Sequence, residues 1–408
     1  MRSRWQKTEG EIEIMIIMPL GVASATPTAT RHLPSVALWR EGRTFLFDCG
    51  ENTQMRMLQA GMKRSKIEYI FISHMDGDHI FGLLGLLSTF QLQRRDKKLV
   101  IVGPERIKEF VDTNMKLAGL DLVFELEYIL IEEGFDHKVV VDDESYFVEA
   151  RPLQHTSFCV GYRFQEKDKP GKVDAKKASE LGIRNDGQFK ELKAGRDVKL
   201  SDGTIVKSDD IVGKPQIGES FAYVTDTVFC ENAIQLADKV TILYHEATFS
   251  HNLKEKAEET GHSSAQDAAI VAKTANAEKL VLSHFSARYT NQFALLKEAK
   301  AVFSESWLAN ELRQIMTRPK QEKGIFKPTV ELVDANSKPA APAPKKRIPS
   351  KGRSGTKKRF TKRTNSRYYK SDETGKPRHE KVRKNNPHKP NKPLPITPRT
   401  PFDDFDRF

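Results

Sequence analysis

Ile67-Glu68-Tyr69-Ile70-Phe71-Ile72-Ser73 runs directly into His74-Met75-Asp76-Gly77-Asp78-His79. The first seven residues have the length and apolar content of a strand, and an apolar helix is expected from Gly82 to about Gln93. Between them, four side chains able to ligate a metal fall within six residues. A turn at the carboxyl end of a strand can converge such groups on one point. Catalytic metals take imidazole and carboxylate ligands with a position left for water. The alternative is an ordinary polar turn that caps the following helix.

Working outward, the same placement recurs: His155 follows Glu149 to Gln154, Asp226 follows Tyr223-Val224-Thr225, and His284 follows Val281-Leu282-Ser283. A lone histidine at a strand end is usually a satisfied surface or core residue. Several in one chain point to a dinuclear site. The surrounding pattern opens with strands at Glu11 to Met18, Ser35 to Arg40 and Thr44 to Asp48, then a helix from Asn52 to Ala60. Strand and helix alternate from there, with a helix at Arg106 to Leu117 and strands at Val123 to Ile131, Val139 to Val141 and Tyr146 to Pro152. From Gln165 to Gly218 apolar content falls, and Asn185-Asp186-Gly187 and Ser201-Asp202-Gly203 read as turns, so this stretch is expected to be an insertion. Alternation resumes through Ala222 to Thr225, Glu231 to Ala237, Val240 to Tyr244, Ser264 to Thr274, Lys279 to Ser283 and Gln292 to Phe303.

The 408 residues carry a net charge of +12, unevenly spread. Residues 338–408 hold 22 Lys/Arg against 6 Asp/Glu, a net of +16, which leaves −4 for the rest. Beyond Asn336 the chain is mostly Pro, Lys, Arg, Ser and Thr, too poor in aliphatics to offset the entropy of ordering, so a disordered basic tail (337–408) is expected after one folded domain (1–336). Basic pairs interleaved with Tyr368 and Tyr369 suit RNA, through phosphate neutralisation and base stacking; a merely solubilising tail is the alternative. Three cysteines without a CxxC pair favour a reducing, cytoplasmic setting. The apolar run Ile14 to Leu20 is too short to span a bilayer.

Five stretches together resemble the ribonuclease Z family of the metallo-β-lactamase superfamily. They are Phe47-Asp48-Cys49-Gly50-Glu51-Asn52-Thr53-Gln54, His74 to His79 with Ile80-Phe81-Gly82-Leu83, His245-Glu246-Ala247-Thr248-Phe249, Gly261-His262-Ser263-Ser264 and Ser283-His284-Phe285-Ser286-Ala287-Arg288-Tyr289. The resemblance implies an α+β fold, a four-layer αβ/βα sandwich with a flexible arm inserted at 165–218. It also implies an endoribonuclease that removes the 3′ trailer from precursor tRNA as a homodimer. Two divalent ions per subunit are implied, one held by His74, Asp76, His155 and Asp226, the other by Asp78, His79, Asp226 and His284, with Asp226 bridging. Asp78 would orient or deprotonate the attacking water, His262 would protonate the leaving 3′ oxygen, and Asp48, His245 and Glu246 would steady the ligands.

Four places in the chain depart from the family pattern. Asp76 stands where histidine is usual; a harder, charged ligand shifts preference from Zn²⁺ towards Mn²⁺ or Mg²⁺. Asn52 replaces a glycine. In the loop associated with choosing the cut, Pro27 and Arg31 remain as expected substrate contacts, but Ala29 and His32 replace Lys and Asn. The arm's tip carries Arg184-Asn185-Asp186-Gly187 in place of a Gly-Pro pair. Two rivals stay open: another phosphodiesterase of the same fold, which would need no arm, and a non-catalytic RNA-binding protein whose metal site Asp76 has weakened.

Overall fold

The protein is described here by a computed structural model covering residues 15–317, in which the chain builds two seven-stranded sheets. The first is laid down by β1 (Ile16–Gly21), β2 (Ser35–Arg40) and β3 (Arg43–Phe47). After α1 (Thr53–Gln59) come β4 (Ile67–Phe71), α2 (Gly77–Leu92), β5 (Leu99–Pro104), α3 (Arg106–Leu117) and β6 (Leu126–Ile131). The second begins with β7 (Lys138–Asp142), β8 (Tyr146–Leu153) and β9 (Cys159–Glu166). The chain then leaves for an excursion containing α4 (Ala175–Glu180), α5 (Asp186–Lys193), β10 (Val198–Lys199), β11 (Ile205–Val206) and α6 (Ser208–Ile211). It returns through β12 (Ser220–Val224), α7 (Glu231–Leu236), β13 (Ile242–Glu246), α8 (Lys254–Glu259), α9 (Ala265–Thr274), β14 (Leu280–Ser283), α10 (Phe293–Val302) and β15 (Ser306–Leu308). Finally β16 (Ile315–Met316) pairs with β1 at the edge of the first sheet.

Strand alternation makes the layers. On β3, Phe45 and Phe47 enter the core between the sheets, while Leu46 packs with the cluster under α1, α2 and α3. Aromatic rings from both sheets meet in the middle, with Phe47 and Phe71 stacked at 5.0 Å and Phe47 edge-on to Phe221 at 5.3 Å. Apolar residues of α7, α9 and α10 join the cluster of the second sheet. The four-layer order implied by the resemblance is the observed one.

Each sheet changes from antiparallel to parallel pairing partway across. β1, β2 and β3 are antiparallel and β3 to β6 parallel; β7, β8, β9 and β12 are antiparallel and β12 to β15 parallel. The segments following β4, β8, β12 and β14 carry His74, His155, Asp226 and His284.

Some expectations shift. The helix expected from Gly82 begins at Gly77, so Asp78 and His79 ride on its first turn. That start is possible because Gly82 presses on the segment after β3: a Cβ there would lie 2.0 Å from the Gly50 carbonyl oxygen. Strand β13 extends two residues beyond Tyr244 and so includes His245 and Glu246. Strand β9 was not anticipated. The excursion has its own buried cluster of Ala178, Ile183, Leu192, Val198, Val206 and Ile211. Asn185-Asp186-Gly187, expected as a turn, is the start of α5, with the Asn185 side chain accepting from the Gln188 N–H as N-cap. Ser201-Asp202-Gly203 does turn the β10–β11 hairpin, with Gly203 at φ +90°. The expected strand residues before Met15 and the tail 337–408 lie outside the described residues.

Candidate metal centre

The strand ends and the first turn of α2 bring six of the seven expected ligands together. Two sets, His74 with His155 and Asp226, and Asp78 with His79 and His284, each place their ligand atoms within 4.8 Å of one another. Asp226 faces both. Its Oδ2 lies 3.7 Å from His74 Nε2, while its Oδ1 lies 3.5 Å from His79 Nε2 and 3.2 Å from His284 Nε2.

Asp76 occupies the N-cap position of α2 and yet caps nothing. An aspartate there ordinarily accepts from an N–H of the first turn. Here its Oδ2 instead lies 3.6 Å from His74 Nε2 and 3.7 Å from His155 Nε2, and Ser157 donates to Oδ1 at 3.3 Å. Those imidazoles hold its carboxyl well below the usual range. The geometry thus disfavours the capping reading, and Asp76 stands beside the first ligand set at 47 % side-chain exposure.

The protonation pattern fits a cation. Each histidine of the two sets uses Nδ1 within the protein: His74 with the Ser73 hydroxyl at 2.9 Å, His79 with Asp48 at 2.7 Å, His155 with the Gly261 carbonyl at 2.8 Å and His284 with the Thr248 hydroxyl at 2.9 Å. A proton on Nδ1 leaves a lone pair on Nε2. The Nε2 atoms of His74, His79 and His284 are buried without a hydrogen-bond partner. Buried polar atoms are seldom left so, and three lone pairs turned towards Asp226 are what divalent ions would complete.

Two buried carboxylates stand behind these ligands. Asp48 accepts from Ser73 N–H and hydroxyl, His79 Nδ1 and the Tyr223 hydroxyl, all at 2.7–2.8 Å. Glu246 accepts from the Thr227 N–H at 2.7 Å, the Thr248 hydroxyl at 2.6 Å and His262 Nδ1 at 3.0 Å. Burial alone would lower the His262 pKa, but Glu246 outweighs it and raises it to about 9. Asp48 and His284 both adopt left-handed backbone, φ +55° and +56°, a conformation that non-glycine residues take mainly where surroundings impose it. Asn52 is left-handed too, at φ +70°, which is how asparagine can stand in for the family's glycine.

The other expected residues fall as follows. His245 makes no hydrogen bond to a ligand among the described residues: alternation on β13 sends it to the opposite face from Glu246, and its Nδ1 meets the Glu246 carbonyl at 2.7 Å. Arg31 is buried, donating to the carbonyls of Phe285 and Ser286 at 3.4 and 3.3 Å, so it braces the segment after His284. Pro27 is exposed on the same loop. His262 lies with Nδ1 4.0 Å from Asp226 Oδ2. Gly261 precedes it at φ +74°, and a Cβ there would lie 2.7 Å from His155 Nδ1. Ser73, Thr248, Tyr223 and the Ala25 N–H, which donates to Asp78 Oδ2 at 3.0 Å, were not singled out in the sequence.

Comparison with known proteins agrees with this geometry. A family model described as Anti-Pycsar protein Apyc1 matches residues 15–154. Ribonuclease Z of Salinibacter ruber is 39% identical over 308 residues, 75% of this chain and 96% of that protein. Ribonuclease Z of Geobacillus kaustophilus is 40% identical over 300 residues, 72% and 96% of the two chains. Among solved structures, the short form of human tRNase Z matches at 28% identity and TM-score 0.53, covering 74% of this chain and 98% of that one. The metallo-β-lactamase fold protein YhfI of Bacillus subtilis shares the fold at 17% identity and TM-score 0.53, covering 75% and 100%. With its centre at the edge of a four-layer sandwich and relatives matched almost end to end, the chain belongs to the ribonuclease Z family of metallo-β-lactamase-fold endoribonucleases.

Proposed function

We propose that the chain removes the 3′ trailer from precursor tRNA by hydrolysing one phosphodiester, leaving a 3′-hydroxyl on the tRNA. The observation that carries this is the convergence of two ligand sets, with three unpartnered Nε2 atoms, in a chain of the ribonuclease Z family. His74, His155, Asp226 and Asp76 would hold one divalent ion, and Asp78, His79, His284 and Asp226 the other. Such a pair activates water and neutralises charge growing on the scissile phosphate.

The chain's own groups supply the rest. Burial would raise Asp78, but His79 and His284 outweigh it and hold its carboxyl well below the usual range, so it is an anion able to accept a proton from water or orient it. His262, steadied through Nδ1 by Glu246, keeps 13 % of its side chain exposed and can hand a proton to the leaving 3′ oxygen. Asp76 favours Mn²⁺ over Zn²⁺ by its hardness and charge. The excursion within 165–218, with its own cluster, serves as the arm that grips tRNA, and the basic tail adds a salt-sensitive RNA contact. Exposed Met55, Leu58, Phe81 and Leu92 on α1 and α2 offer an apolar face for a homodimer, and three unpaired cysteines suit the cytoplasm. Among the described residues no helix is long and apolar enough to cross a membrane.

The test is end-labelled precursor tRNA incubated with the full chain, the Asp78→Ala variant and the chain lacking 338–408. A single cut near the acceptor end, faster with Mn²⁺ than Zn²⁺ and abolished in Asp78→Ala, is expected. Truncation should flatten the salt dependence of binding and leave turnover at saturation unchanged. Light scattering should give twice the chain mass. Tight binding without any cut in Mn²⁺, Zn²⁺ or Mg²⁺ would leave only the RNA-binding rival standing.

A further inference from the structure

The segment from Ser24 to His32 joins β1 to β2 and exposes Ala25, Thr26, Pro27, Ala29 and Thr30 beside the metal centre. Its inner end is tied to the centre itself: Ser24 N–H donates to the Phe285 carbonyl at 3.1 Å, and Ala25 N–H to Asp78 Oδ2 at 3.0 Å. Its outer end is held by Ala23 N–H donating to the His32 carbonyl at 2.8 Å, by Arg31 on the Phe285 and Ser286 carbonyls, and, through His32, by Glu311. That carboxylate accepts from His32 N–H at 2.7 Å through Oε1 and from His32 Nδ1 at 2.7 Å through Oε2. Arg56 Nη2 donates to the same Oε2 at 2.6 Å, while Arg56 Nε donates to the Leu20 carbonyl at 3.2 Å.

Glu311 is only 8 % exposed and lies beyond every motif that marks the chemistry. The residue after it, Leu312, has φ +61° and donates its N–H to the Pro19 carbonyl at 2.8 Å. A leucine takes that conformation only where its surroundings over-determine it, and such strain concentrates where a group must be placed accurately. The bidentate grip on a backbone N–H and a ring N–H of one residue fixes both the position and the rotation of His32. With the inner anchor at Asp78 kept, loss of the outer one would free the exposed stretch between them to shift. Misplacement of a substrate by about 1 Å can cost up to about a hundredfold in rate.

We infer that Glu311 is a positioning residue for the cut: by gripping His32 it sets where loop 24–32 receives the acceptor end relative to Asp78. This rests on the proposed function, and it gives His32 a role other than touching RNA. Removing Glu311 should loosen the loop's outer anchor, leaving Arg31 and the Ala23–His32 bond, while the candidate ligands and both carboxylates behind them stay in place.

The experiment compares Glu311→Ala, Glu311→Gln and His32→Ala with the unaltered full chain in Mn²⁺, on precursor tRNA and on bis(p-nitrophenyl) phosphate, a diester too small to reach the loop. For Glu311→Ala on tRNA, KM should rise about tenfold and product ends should spread over neighbouring positions, with kcat on the small diester within about twofold of the unaltered chain. Glu311→Gln should retain part of the accuracy, and His32→Ala combined with Glu311→Ala should be no worse than either alone. Hydrogen exchange at the 23–32 amides, measured without RNA, should quicken in Glu311→Ala. Unchanged exchange, or unchanged product ends and KM, overturns the inference; so does an equal loss on both substrates, which would mark a general structural role. An unaltered chain that cuts the diester but never precursor tRNA defeats the functional reading instead, and the exchange measurement still decides whether Glu311 holds the loop.

Discussion

Asp48 and Glu246 are the same device built twice: Asp48 stands behind a histidine of each candidate ligand set, Glu246 behind His284 and His262. Each buried carboxylate grips one imidazole directly and a second through a hydroxyl: Asp48 holds His79, and His74 by way of Ser73; Glu246 holds His262, and His284 by way of Thr248. The difference lies in what the direct grip reaches. His79 is fully buried with its Nε2 turned to the centre, whereas His262 keeps 13 % of its side chain in solvent. Around Asp48 the remaining partners are Ser73 and Tyr223, which do not titrate near neutrality. In the proposed mechanism one carboxylate would hold ligands still, and the other would couple a ligand to the proton donor His262. Exposure of a single ring separates the two roles.

The largest effect that could break this contrast is at His262. Its replacement by Ala should lower kcat by about 10²–10⁴-fold with metal content unchanged by atomic emission. Loss of metal alongside would make His262 an equivalent of His79. Next comes Asp48→Asn, which should weaken metal affinity by about 10–100-fold and recover most of its kcat when metal is saturating. A kcat that stays low in excess metal would mean that Asp48 takes part in chemistry as Glu246 does. The smallest effect sharpens the contrast. If His262 donates as the cation, as proposed, activity should fall as pH rises through its pKa, which burial would lower but Glu246 and Asp226 lift from 6.5 to about 9. Glu246→Gln should move that alkaline limb to lower pH, while Asp48→Asn should leave it where it is.

The candidate ligands are legible because each sits at a boundary that a single sequence can show. His74, His155, Asp226 and His284 follow β-rich runs, and a run of apolar residues ahead of an HxDxDH stretch is hard to read otherwise. Their supports are not. Tyr223 reaches Asp48 across 175 residues, and Ser73 and Thr248 matter only through which way a hydroxyl points. No periodicity records such a meeting of two sheets. Helix α2 starts five residues before the expected Gly82, because its first turn holds the polar Asp78 and His79 and the apolar pattern shows only the residues beyond them. The resemblance groups His245 with Glu246 in one motif, but neighbours on a strand point to opposite faces.

The excursion leaves and rejoins the second sheet through neighbouring strands, with Gln165 paired to Ser220 and Glu166 N–H donating to the Glu219 carbonyl at 2.9 Å. Its two ends are thus already side by side, and its apolar cluster draws on none of the core residues beneath the centre. Lengthening, remodelling or losing this appendage need not disturb a single ligand. If the excursion is the arm proposed above, recognition and bond-breaking can be inherited as separate units, and one hydrolytic scaffold can acquire or shed a client without relearning its chemistry.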